Sequence, residues 1–246
     1  MRTKLAVCAN RKHQLTDMYV IASSKSWNKD LANVLHARTG KVFHQLSDPT
    51  CISLEYLEKI NPRYVFFPHW SHRIPKDVLD RFECIVFHMT DLPFGRGGSP
   101  LQNLIARGIG ETKISALKCV EEIDAGPIYL KRPLSLHGAA DEIYLRASKI
   151  IEAMIVEIID DSLIPHPQTG DPVFFQRRKP EQGNLLEARS LEELFDLIRM
   201  LDAEGYPHAF ININDKRLEF SRAKLSPDGI LADVRISMTH QKVDKK

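Results

Sequence analysis

"CIVFHMTDLPFGRGGSPLQNLIARG", residues 84–108, decides how the chain is read. An apolar run from Cys84 ends on His88, and a stretch rich in Pro and Gly follows. Ser99 as N-cap, Pro100 at the first helical position, Leu101, Leu104 and Ile105 on one face and Gly108 at the end then predict a helix. The order is strand, loop, helix. Outward from it the alternation recurs in "YVIASS", "WNKDLANVLHARTG", "KVFHQL", "ISLEYLEKI", "YVFFPHW" and "PKDVLDRF". Short strands alternating with amphipathic stretches predict an α/β fold, a Rossmann-like mostly parallel sheet with helices on both faces.

Downstream, "ISALKCVEEIDAGPIYLKRPLSL" predicts two strands around a turn at Asp124, Ala125 and Gly126. A long helix is expected from about Ala139 to Asp161, burying Ile143, Ala147, Ile150, Ile151, Met154, Ile155 and Ile158. Composition shifts near residue 163, where "LIPHPQTGDPVFFQRRKPEQG" reads as an ordered linker. Beyond it Ser190 and Glu193 form a capping box, and "AFININDKRLEFSRAKL" reads as a hairpin turning near Asn214 and Asp215. The organisation expected is a catalytic domain over 1–165 and a linker with a small C-terminal α+β unit over 166–246.

The chain has 246 residues, 43% of them hydrophobic, enough to bury a full core. Its 34 basic and 32 acidic side chains are scattered, apart from the basic tail "HQKVDKK", so no charge block marks a nucleic-acid partner. Cys8, Cys51, Cys84 and Cys119 are widely spaced, and no N-terminal stretch has signal-peptide form. The run "IIEAMIVEII" carries Glu152 and Glu157 and is too short to span a bilayer. A soluble cytoplasmic protein with reduced thiols and no membrane partner is expected.

In a parallel α/β sheet ligands collect beyond the carboxyl ends of the strands, where "FFPHWSHRIP" and "FHMTDLPFGRGG" fall. His88 either points into a cleft or is buried against a backbone carbonyl. Asp124, taken alone, is a turn residue. The glycines of "GRGGSP" match neither phosphate-loop spacing, so they read as a loop needing unusual dihedrals. Arg96 is either an anion contact or an internal brace. His69, His72 and His88 raise zinc, but no carboxylate or thiol completes a ligand spacing, and no metal is expected.

His88, Leu92, Pro93, Arg96, Gly97, Pro100, Gly108, Thr112, Asp124 and Gly126 follow one another in an order that resembles the formyltransferases using 10-formyltetrahydrofolate. "RRKPEQGNLLEARSLEELFDLIRMLDAEGYPHAF" resembles the start of the C-terminal region in the branches acting on nucleotide-linked amino sugars and on methionyl-tRNA. The resemblance implies 10-formyltetrahydrofolate as donor, with His88 and Asp124 in the catalytic roles. It implies folate contacts at Trp70, Ser71, His72, Arg73, Val120 and Glu122, and substrate contacts at Thr90, Asp91, Arg96 and Gly97. One position departs: the family's catalytic Asn falls on Val86, which strand periodicity places on the same face as His88. His69, His72 and Thr90 are the nearest groups able to supply the missing donor, a histidine of "PHWSH" first.

For the acceptor, residues 181–246 carry ten Lys or Arg against twelve Asp or Glu, which argues against tRNA. The reading that follows is N-formylation of a nucleotide-linked amino sugar, a 4-amino-4,6-dideoxyhexose by extrapolation from the family, with a sugar nucleotide and folate as small-molecule partners and a possible homodimer. Arg177, Arg178 and Lys179 read either as diphosphate contacts or as a solvated cluster. Methionyl-tRNA formylation is an alternative, as is glycinamide ribonucleotide formylation, against which the C-terminal extension counts. A non-catalytic folate- or sugar-nucleotide-binding relative is a further alternative, because valine replaces the Asn.

Overall fold

The computed structural model describes residues 18–239. Cys8 and the basic tail lie outside them. The main sheet contains β1 (Met18–Ala22), β2 (Val42–Leu46), β3 (Tyr64–Pro68), β4 (Cys84–His88), β6 (Glu111–Lys118) and β7 (Ile128–Ser135), in the order β2-β1-β3-β4-β6-β7. It is parallel from β2 to β4, and β6 and β7 then join antiparallel. The sheet is thus mostly parallel, as expected, with β6 running against its neighbours; the segment 119–127 is a short reversal with no room for a crossover helix, so β7 pairs antiparallel with β6.

Helices cover both faces. Tyr64 and Phe66 of β3 face a core layer shared with α1 (Leu31–Thr39), α4 (Pro100–Ile105) and α5 (Ala140–Asp160), while Val65 and Phe67 face α2 (Leu54–Ile60) and α3 (Lys76–Arg81). Burial on both sides is why these strands read as unbroken apolar runs. In α5 the predicted stripe is buried except Ile150, which is partly exposed at its edge.

The linker packs back onto this body. Its strand β8 (Val173–Phe175) pairs in parallel with β5 (Phe94–Gly97), inside the Gly-rich loop. Ser99, the expected N-cap of α4, has φ 50° and makes no capping bond; its hydroxyl accepts instead from the backbone N–H of Arg178 at 3.1 Å. Then come α6 (Leu191–Arg199) and an antiparallel sheet of β9 (Ala209–Ile213), β10 (Lys216–Ser226) and β11 (Gly229–Met238), in the order β11-β10-β9. The hairpin turns at Asn214 and Asp215 as read from the sequence. Strand β11 escaped that reading, since it is a partly exposed edge strand whose apolar residues are interrupted by Asp233 and Arg235. Leu185, Ile198, Met200 and Ala209 join the same buried cluster as α5, so the C-terminal unit shares the main core.

Gly126 shows how tightly the reversal between β6 and β7 is drawn: a Cβ there would lie 1.8 Å from the Lys118 carbonyl oxygen. Gly40, the C-cap of α1 at φ 70°, has nothing within 4 Å of such a Cβ, so alanine there meets only backbone strain, about 1–2 kcal/mol. Urea titration is expected to show Gly126→Ala losing more stability than Gly40→Ala, by at least about 1 kcal/mol. Equal losses would mean that the turn yields freely.

Candidate active site

A cleft of about 730 Å³ opens at the carboxyl ends of β3 and β4, bounded by the segment 69–76, the turn after β6 and the linker. His88, on the last residue of β4, and Asp124 come together in its wall: His88 Nδ1 is 3.5 Å from Asp124 Oδ2, and both side chains are nearly buried. His88 Nε2 lies 2.7 Å from the carbonyl oxygen of Gly95. A carbonyl can only accept, so Nε2 carries a proton and Nδ1 is the nitrogen turned toward the carboxylate. The two readings of His88, cleft residue and carbonyl-bonded residue, therefore hold together.

Asp124 sits in the left-handed region at φ 54° and is held from two sides. Its Oδ2 accepts from the Gly97 N–H at 2.9 Å, and the Gln168 side-chain amide donates to the carbonyls of Asp124 and Gly126 at 2.7 and 2.8 Å. Gly97 has φ 107°, and a Cβ there would stand 2.5 Å from the Phe175 carbonyl oxygen. Glycine at this point lets β8 press against the loop while the loop N–H reaches Asp124.

Of the remaining predicted residues, His69, Trp70, Ser71, His72, Arg73, Val120 and Gly97 line the cleft, as does Val86. Four do not. Thr90 is fully buried, with its hydroxyl toward the Gly95 carbonyl. Asp91 is paired with Lys113 and Lys131. Arg96 is the internal brace rather than the anion contact, bound to Gln168 and to Glu122. Glu122 is thereby turned away, and Glu121 lines the cleft instead. These four were carried over from the family resemblance, and in loops the facing of a side chain follows no fixed period.

His69 has φ 53°, and its ring lies edge-on to Trp27 and Tyr144. Its Nδ1 accepts from the Trp27 indole N–H at 3.2 Å, and its Nε2 faces the Met89 sulfur at 3.3 Å. Burial, with the Lys25 ammonium as a second cause, holds its pKa down to about 3. Sequence reasoning missed the wall behind it: Trp27 stacks on Tyr144 (5.1 Å, 2°), Tyr144 on Tyr206 (5.5 Å, 20°), and Lys25 lies over Trp27 and Tyr206. Lys25, Tyr144, Tyr206 and Arg177 all line the cleft. Trp27 opens the stretch read as amphipathic and Tyr144 falls within the predicted long helix, and nothing local marked their meeting.

Cys84 and Cys119 are free thiols, the first pushed up to about 12 by burial and the second well above its ordinary value for the same reason. Among the described residues no helix is long and apolar enough to cross a membrane, and no three His, Cys, Asp or Glu gather as metal ligands.

Residues 180–237 match the family model described as "Methionyl-tRNA formyltransferase, C-terminal domain". The solved structure titled "Methionyl-tRNA formyltransferase from Clostridium thermocellum" is 49% identical, covers 90% of this chain and 99% of its own, and superposes with a TM-score of 0.87. The chain belongs to the formyltransferase family. Among curated family members, the methionyl-tRNA formyltransferase of Ehrlichia ruminantium (strain Welgevonden) is 26% identical over 94% of this chain and 79% of its own. That of Thermodesulfovibrio yellowstonii is 25% identical over 70% of this chain, which spans only 58% of its length.

For this formyltransferase the matches overturn two expectations, the nucleotide-linked amino sugar as acceptor and the absence of a nucleic-acid partner. The Clostridium thermocellum chain, 99% covered, carries the methionyl-tRNA name with an equally compact C-terminal unit. The charge count had begun at residue 181, just past Arg177, Arg178 and Lys179.

The low pKa of His69 links to stability with a definite sign. Between pH 6.5 and about 3 the unfolded chain binds a proton that the folded ring does not, so this group destabilises the fold as pH falls, by about 1.4 kcal/mol per unit. In urea unfolding, the stability of wild type relative to His69→Asn is expected to decline by about 2 kcal/mol between pH 6.5 and 4.5. A difference that does not change with pH would contradict the assignment.

Proposed function

We propose that this protein transfers the formyl group of 10-formyltetrahydrofolate to the α-amine of methionyl-tRNA. The observation that carries the reading is the meeting of His88 and Asp124, thirty-six residues apart, in the wall of a cleft large enough for a folate. The 49% identity to a protein named for this activity supports it.

The site suits a flat heterocycle. Phe67, Trp70, Ile74, Leu79 and Val120 supply apolar wall. In the reaction the amine nitrogen attacks the formyl carbon, the C=O pair moves onto oxygen, and the bond from carbon to N10 then breaks. The amine loses a proton and N10 gains one. His88, with Asp124 at its Nδ1, accepts the first and returns the second; the carboxylate orients the ring and balances the imidazolium.

At the mouth Arg177 lines both the cleft and a second hollow of about 350 Å³ that it shares with Arg178, Lys179 and Gln182. Burial and the nearby Arg107 guanidinium lower the pKa of Arg178, so positive charge is concentrated here. Such a cluster suits the phosphates at the acceptor end of a tRNA.

With 10-formyltetrahydrofolate and methionyl-tRNA, release of tetrahydrofolate is expected, and Asp124→Asn is expected to lower kcat by about 10²–10⁴-fold with a much smaller effect on KM. Arg177→Ala is expected to raise KM for methionyl-tRNA and to flatten its dependence on salt, with kcat near wild type. No release with methionyl-tRNA would overturn the proposal.

A further inference from the structure

We infer that His69 is a catalytic residue, a permanently neutral hydrogen-bond donor whose Nε2–H binds the oxygen of the reacting formyl group. The inference rests on the formyl-transfer reading and adds to it the group that holds the developing negative charge.

Such an oxygen needs a donor fixed in place before reaction, and the pair that moves the proton does not offer one. His88 Nε2–H is occupied by the Gly95 carbonyl, and His88 Nδ1, 3.5 Å from Asp124, carries the lone pair that takes the amine proton and so has no hydrogen to donate. Val86, on the same strand and cleft wall, has no donor at all. The Thr90 hydroxyl is buried off the cleft, and the exposed His72 ring packs on Trp70, where it has no fixed orientation toward β4.

His69 differs from each of these. Strands β3 and β4 are parallel neighbours with Pro68 opposite Phe87, so the next residues, His69 and His88, emerge side by side at one strand end. Neighbouring strands lie about 4.8 Å apart, which lets one atom between the two side chains reach both. The left-handed backbone of His69 turns its ring across the end of β4, where Nε2 meets Met89, the residue after His88. An indole N–H can only donate, so the bond from Trp27 makes Nδ1 an acceptor and leaves the proton of the neutral ring on Nε2. That proton faces a thioether sulfur, a weak acceptor that an oxyanion displaces without breaking a strong bond. The edge-on packing against Trp27 and Tyr144 fixes the ring plane.

The ring also stays uncharged. Its pKa of about 3 means that it does not compete with His88 for the amine proton. Proton transfer and oxygen binding are thus divided between two histidines on adjacent strands.

The experiment measures kcat and KM for formyl transfer, and in parallel the slow hydrolysis of 10-formyltetrahydrofolate without acceptor, which passes through a tetrahedral carbon of the same kind. His69→Ala is expected to lower kcat in both assays by about 10²–10³-fold with KM for the formyl donor within a few-fold. His69→Gln, which places an amide N–H near the position of Nε2, is expected to recover at least tenfold of that loss. Trp27→Phe keeps the aromatic stack but frees Nδ1, and is expected to lower kcat several-fold as a positioning change. An unchanged kcat in His69→Ala overturns the inference, as does a rise in KM alone, which would mark His69 as folate-binding wall. If His69→Ala is too unstable to assay, His69→Phe, which keeps a ring but no donor, takes its place: a kcat loss of about 10²-fold or more that His69→Gln partly recovers supports the inference, and near-wild-type turnover in His69→Phe overturns it. Wild-type protein inactive in both assays would overturn the formyl-transfer reading itself, and this assignment with it.

Discussion

A carboxylate fixed in place by backbone and linker is the constraint on which the site depends. Asp124 lies in a reversal too tight for a side chain at Gly126, in a left-handed conformation, with its oxygen on the Gly97 N–H and its carbonyl on Gln168. Each of these contacts comes from a different part of the chain. The linker approaches the loop closely because Gly97 has no side chain, and Arg96 locks that approach through Gln168. His88 then needs only to end its strand to meet the carboxylate.

Charge is distributed in a way that suits this arrangement. Besides the Asp124 carboxylate, the groups named near the reacting centre are neutral: the His69 ring, the aromatic stack behind it and the Gly95 carbonyl. Guanidinium groups gather farther out, at Arg177 and Arg178. A cation packed against His88 would lower its basicity, whereas neutral donors stabilise an oxyanion without that effect. The Lys25 ammonium lies over the rings of Trp27 and Tyr206.

The sequence made legible whatever follows from periodicity and turn chemistry. The alternation of "YVFFPHW" and "CIVFHM" with amphipathic stretches predicts the sheet and both helical layers, and the hairpin at Asn214 and Asp215 is written in its turn residues. Val86 and His88 share the cleft wall because strand period two requires it. What stayed hidden depends on contacts distant in sequence: Trp27 with His69 and Tyr144, Gln168 with Asp124, Ser99 with Arg178. The facing of loop side chains stayed hidden for a related reason. Thr90, Asp91, Arg96 and Glu122 sit beside true cleft residues in sequence, but their facing is set by partners that no local pattern announces. The acceptor was misread from a net charge summed over residues 181–246, which began just past the cationic groups of Arg177, Arg178 and Lys179.

The most direct test is a crystal structure of the protein with a non-transferable 10-formyl folate analogue bound. The account predicts the formyl carbon at the end of β4, its oxygen within hydrogen-bonding distance of His69 Nε2 and its open face toward the His88 and Asp124 pair. An analogue bound with its formyl group remote from both histidines, or outside the cleft between β3 and the reversal after β6, would contradict it.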